Sequence, residues 1–187
     1  MAELRWILAV AVLTLVVAGW IGFTATRLDR LHVRVDAAYA SLDAALVRRC
    51  AALQHLADTA RAELGDVHAG RLAAAAEAGR IATERDRPQA ENAVTKAIRE
   101  LAELSDSLPP HLDRNMQHIA EASDRVLMAR RFYNDAARDT RSLRRQRVVR
   151  WLRLAGHRGV PEFFDIDDST AMALTYSTSP APASKGS

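Results

Sequence analysis

Cysteine, glycine, proline and aromatic residues are all scarce in this 187-residue chain. A single cysteine, Cys50, excludes an internal disulfide and any multi-cysteine zinc site, and it fits a reducing compartment. Eight glycines and six prolines supply too few turn signals for a many-stranded β fold. Aromatics make up only 5% of the residues, and β-branched runs outside the N-terminus are missing, so strands have little to be built from. A large charge of one sign is also lacking. The formal net charge is +3, which gives no general argument for nucleic acid, and no RRM- or KH-like signature adds one.

Catalytic signatures are missing too. There is no H-E-x-x-H, no G-x-S-x-G, no P-loop and no G-x-G-x-x-G. The six histidines (32, 55, 68, 111, 118 and 157) have no metal-ligand spacing, and the seven-residue interval between His111 and His118 has no further ligand beside it. The expectation is a protein with no catalytic residue, no cofactor and no metal.

What the chain does have is one long hydrophobic run. Trp6 to Thr26 holds no charged side chain and is bracketed by Arg5 and Arg27. As a helix this stretch is roughly 31 Å long, close to the hydrocarbon thickness of a bilayer. Trp6 and Trp20 lie toward its ends, as interfacial aromatics do. A cleaved signal peptide has a shorter apolar core and a small-residue exit, and neither is seen here. The expectation is an anchor at residues 6–26 after a short flank at 1–5, contacting membrane lipids as a single-pass segment. Arg27, Arg30 and Arg34 follow it and only Arg5 precedes it, so the positive-inside rule places the C-terminal portion in the cytoplasm, at the cell membrane. Ala18 and Gly22 form a small-xxx-small pair, so an oligomer through the span is open.

Alanine, leucine and arginine dominate the rest, and all three favour helix. From Leu28 a stripe recurs at alternating steps of three and four: Leu31, Val35, Ala38, Leu42 and Ala45, then Arg49 as an interruption, then Ala52, Leu56 and Ala60. This predicts one helix from the membrane to about Glu63, ended or bent by Gly65. A second helix is expected over Asp66–Arg85. Arg87-Pro88 marks the next boundary, with Pro88 in the first turn of a third helix carrying Val94, Ala97, Leu101, Leu104 and Leu108. Pro109-Pro110 stops it. A fourth begins near His111, with Leu112, Ile119, Val126, Tyr133 and Thr140 in one seven-residue series and Ala122, Ala129, Ala136 and Leu143 in another. The fold class expected is all-α: a transmembrane helix continuing into an antiparallel three- or four-helix bundle over 27–146, with coiled-coil-like seams. A basic then acidic segment follows at 147–168. The Ser/Thr/Ala/Pro-rich residues 169–187 are expected to be disordered.

Two blocks carry a family resemblance. Val35-Asp-Ala-Ala-Tyr-Ala-Ser-Leu-Asp-Ala-Ala-Leu-Val-Arg-Arg49, followed by Leu53 and Leu56, and the stretch Ala129-Arg-Arg-Phe-Tyr-Asn-Asp-Ala136, followed by Arg138-Asp139, resemble the bacterial LemA family. Glu91 to Leu104 resembles the segment before that family's final long helix. The resemblance implies a helical bundle tethered by an N-terminal membrane helix and brings no settled activity. The chain departs from the family pattern at Thr140, where an aromatic is usual, and at Ser123-Asp124, where a glutamate is common. Past Arg144 an arginine-rich stretch replaces Phe-Pro and apolar residues.

Two candidate sites follow. The first is a polar cluster of Arg48, Arg49, Arg130, Arg131, Tyr133, Asn134 and Asp135, with Asp43, Arg138 and Asp139 nearby. It reads as an ion-pair network between helices, or as a groove in which arginines hold a peptide or anionic ligand. The second is Arg144, Arg145, Arg147, Arg150, Trp151 and Arg153, part of a run of eight arginines between 138 and 158. It reads either as a helix end balanced by Glu162, Asp165, Asp167 and Asp168, with Phe163 and Phe164 packing back, or as a surface for anionic lipid. The function expected is an interaction or scaffolding module at the membrane with an unidentified protein partner and no nucleic acid. The alternatives are an anionic-lipid sensor and a membrane-bound hydrolase using Tyr133 to Asp139.

Overall fold

The computed structural model describes residues 2–145 and 159–165. All regular structure among them is helical: α1 (Ala2–Thr59), α2 (Arg61–Ile81), α3 (Arg87–Glu103) and α4 (Asp113–Arg144), with two short 3₁₀ turns, Ser105–Ser107 and Pro110–Leu112, between α3 and α4. The tail expected to be disordered lies outside the described residues, as do 147–158 and 166–168 of the basic-then-acidic segment. The chain divides into two compact units, one of Met1–Tyr39 with Tyr133–Phe163 and the other of Ala40–Phe132 with Phe164–Ser187.

The first unit contains the apolar run. The N-terminal stretch of α1 is long and apolar enough to cross a membrane, and almost none of it is buried by the protein. Trp6, Leu13, Leu15 and Phe23 are each more than half exposed. The run also holds three threonines. Thr14, Thr24 and Thr26 donate their hydroxyls to the carbonyls of Val10, Trp20 and Gly22 at 2.8, 2.9 and 3.0 Å, so none of these hydroxyls needs water. Past the run, Leu28 and Leu143 form a small buried cluster with Leu31 against it. The rings of Tyr39 and Tyr133 meet at 5.7 Å between centroids, tilted by 60°. The guanidinium of Arg141 lies 4.5 Å over the ring of Phe163.

The second unit is built around a cluster drawn from all four helices. Leu53, Leu56 and Ala57 come from α1, Leu72 and Ala76 from α2, Val94, Ile98 and Leu101 from α3, and Met116 and Ile119 from α4. Leu42, Leu46, Leu53, Leu56, Ile98 and Ile119 are essentially removed from water. Each such side chain contributes about 1.5–3 kcal/mol relative to exposure. The buried face of α1 takes in Leu46, Cys50, Leu53 and Ala57 beside the anticipated stripe. That face is wider than the two-position seam of a coiled coil. The seam read for α4 is buried at all nine positions from Leu112 to Leu143.

The corner after α1 differs from expectation. The helix ends at Thr59, not near Glu63, whereas Gly65, with φ 74° and ψ 157°, is a non-helical kink within α2, where a break or bend was expected. Backbone hydrogen bonds from Ala60 to Leu56 and from Leu64 to Ala60, both 2.9 Å, keep the chain coiled between the two breaks. Gly65 then supplies a conformation that side chains with a Cβ rarely adopt. Two polar contacts fasten the start of α4 near this corner: His111 to Glu63 at 3.1 Å and Asn115 to Thr59 at 3.0 Å. The second helix stops at Ile81, short of Arg85, because Thr83 and Asp86 form a turn. The Thr83 hydroxyl donates to the Asp86 carboxylate at 2.8 Å, and the amides of Asp86 and Arg87 donate to the Thr83 carbonyl. Pro88 falls in the first turn of α3, as its position predicted.

Candidate functional site

The densest buried polar group among the described residues lies in the second unit and links three helices. Arg49 of α1 donates from Nη2 to Glu91 of α3 at 2.5 Å, with side chains only 4% and 0% exposed. Arg87, one turn before Glu91, donates from Nη2 to Asp43 of α1 at 2.5 Å and from Nη1 to the carbonyl of Gly79 in α2 at 2.7 Å. Its Nη1 also stands 4.0 Å from Glu91 Oε1. Two arginines and two carboxylates therefore balance in charge. This is the condition on which burial of ions is tolerated.

Local sequence explains the placement. Arg49 falls on the inward stripe of α1, so folding carries it into the core, where it requires an acid. Glu91 stands three and seven residues before Val94 and Ile98, on the buried face of α3. The Gly79 carbonyl is among the last four of α2, which have no acceptor role inside the helix. Arg87 satisfies it and sets a cation at the negative end of the helix.

Gly79 is needed for this approach. A Cβ there would lie 2.6 Å from Cys50 Sγ and 2.9 Å from Val94 Cγ2. The Cys50 thiol is itself buried, and its pKa is pushed up to about 11 by desolvation first and by the nearby Glu91 charge second, against the opposing pull of Arg49 and Arg87. A thiol held neutral in this way is a poor nucleophile and a poor metal ligand at neutral pH. Among the described residues no group of three His, Cys, Asp or Glu is placed to hold a metal ion.

The seven residues anticipated as one polar cluster have distinct environments. Arg48 and Arg131 are exposed. Arg49 takes Glu91 as its partner, and Asp43, anticipated beside Arg49, is held by Arg87. Arg130, largely buried, stands 3.9 Å from the exposed carboxylate of Asp165. In the first unit Tyr133 donates its hydroxyl to the carbonyl of Glu162 at 2.8 Å. Asn134 is half-buried, and exposed Asp135 accepts from Arg138 at 2.8 Å. Of the six lipid-contact candidates, Arg144 donates to the carbonyl of Gly159 at 2.8 Å and Arg145 is exposed. Arg147, Arg150, Trp151 and Arg153 lie outside the described residues. Of the two phenylalanines considered for packing back, Phe164 is buried and Phe163 is 45% exposed.

Glu91 and Arg87 were not singled out from the sequence, although two signals pointed to Glu91. Arg49 interrupts an apolar stripe and so demands a buried counter-charge, and Glu91 lies in register with Val94 and Ile98. Comparison with known proteins finds no matching family model, no matching curated protein and no matching solved structure.

Proposed function

We propose that this chain is a single-pass membrane protein whose helical portion, an antiparallel bundle on the cytoplasmic side, serves as an interaction or scaffolding module without catalysis. One observation carries this reading: the exposed apolar stretch of α1 belongs to the same helix that supplies Leu53, Leu56 and Arg49 to a buried core. An outward-facing greasy segment costs free energy in water and is stabilised in lipid. Confinement to a membrane raises the local concentration of a partner, which is how a scaffold acts without chemistry of its own. The arginine-carboxylate network supports the non-catalytic reading because its charges are spent on each other. The resemblance of Val35–Arg49 and Ala129–Ala136 to the LemA family points the same way.

The test is carbonate extraction of native membranes together with N-terminal sequencing of the mature protein. Retention in the pellet with Trp6–Thr26 intact is expected. Release into the supernatant, or a mature N-terminus beyond Thr26, would overturn the proposal. Alanine at Arg131 and Asp135 separates scaffold from hydrolase: the scaffold reading expects a change in stability at most, whereas lost function at unchanged stability would indicate a site.

A further inference from the structure

Directly after the apolar run, α1 presents Arg27, Leu31 and Arg34 to one pocket, whose other wall is Asp139, Ser142 and Leu143 of α4. The pocket measures about 330 Å³, at the lower end of the size range of small-molecule sites. Leu31 and Leu143, packed with Leu28, give it an apolar floor. Arg27 has no ion pair or hydrogen bond with any described residue. Among the described residues Arg34 is held only by Asp139, at 3.3 Å, in a pair whose side chains are 58% and 54% exposed. Such an exposed pair is easily exchanged for a better anion.

We infer that this pocket binds the phosphate group of a single anionic phospholipid. The inference rests on the reading of α1 as a membrane anchor and names what the anchored unit recognises. Arg27 follows the last residue of the apolar run, and Arg34 lies about 10 Å further along the helix. The headgroup layer extends about 5–8 Å beyond the hydrocarbon core on each side, so the Arg27 end of the pocket lies within it, and Arg34 stands just past its outer edge, where its long side chain reaches back toward the phosphate level. Two guanidinium groups suit phosphate oxygens, the Ser142 hydroxyl is a further donor, and the leucine floor suits the glycerol and first acyl carbons. A free phosphate would gain nothing from that floor. Asp139 positions Arg34 and gives it up to the lipid, turning its own carboxylate to water.

The experiment uses the full chain in nanodiscs of phosphatidylcholine, with or without phosphatidylglycerol, followed by release and native mass spectrometry. One retained phosphatidylglycerol per chain is expected. Arg27→Gln and Arg34→Gln should each cut that retention about tenfold. Asp139→Asn should raise it, and Arg30→Gln, whose arginine is outside the pocket, should leave it unchanged. An equal loss in Arg30→Gln would reveal diffuse charge attraction and overturn the site. Equal retention of phosphatidylcholine, or displacement of the lipid by soluble glycerol phosphate, would overturn it as well. A chain that enters nanodiscs and retains no lipid defeats the site alone, whereas one that fails to enter them defeats the anchor and the site together.

Discussion

The guanidinium of Arg49 and the carboxylate of Glu91 meet at 2.5 Å with neither side chain open to water, across 42 residues of sequence. Their value to the fold is asymmetric. Paired, they roughly offset their own desolvation; parted, either is a charge buried without a partner.

Glu91→Ala should therefore lower the unfolding free energy by about 3–5 kcal/mol. The double substitution Arg49→Met with Glu91→Leu should recover most of that loss, because packed apolar side chains replace the pair. Thermal melts of the full chain in detergent, followed by circular dichroism, measure both. Equal melting temperatures for the single and double variants would show that the pair is not the cause.

Gly79→Ala places a methyl group 2.6 Å from Cys50 Sγ and 2.9 Å from Val94 Cγ2. Overpacking of this kind costs about 1–3 kcal/mol. Adding Cys50→Ala to Gly79→Ala removes the nearer obstacle and should restore part of the stability. The same melts read this as a positive coupling between the two sites.

Gly65→Ala tests a different cost. Nothing lies within 4 Å of the position its Cβ would take, so no collision follows. The penalty is the backbone conformation alone, φ 74° and ψ 157°, and amounts to about 1–3 kcal/mol. It should be independent of any substitution at Cys50. Chemical denaturation of the single and combined variants would show that additivity.

The raised pKa of Cys50 predicts a pH dependence with a definite sign. The folded thiol titrates at about 11 and the unfolded thiol at the ordinary 9.0. Its contribution is complete below pH 9, declines as the unfolded state loses its proton first, and is gone once pH passes the folded value. The shift corresponds to about 3 kcal/mol. Cys50→Ala should flatten the alkaline limb of the stability curve between those two pH values. At neutral pH, alkylation of Cys50 by iodoacetamide should be slow in the folded chain and rapid in denaturant.

The helices were the most legible part of the fold. All nine positions read for the α4 seam are buried, since a seven-residue repeat reports the inward side of a helix directly. The kink at Gly65 was legible, whereas the end of α1 at Thr59 was not, because Ala60 carries no breaker chemistry. Nor was the wider α1 face at Leu46, Cys50 and Leu53, which depends on how many neighbours cover a helix. The site shows the same division. That Tyr133 needs a hydrogen-bond partner could be read from its place in the seam, yet the partner is a backbone carbonyl at Glu162, which no side-chain pattern announces. Arg49 was visible as an interruption, but its mate lies on another helix, where spacing along α1 carries no information.

The bond from Tyr133 to Glu162 has a practical reach. A chain cut back to the last turn of α4 would take the Glu162 carbonyl from Tyr133, the Gly159 carbonyl from Arg144 and Phe163 from Arg141. Trimming by helix ends alone would therefore remove the contacts that α4 makes with residues 159–163 and yield a weakened protein.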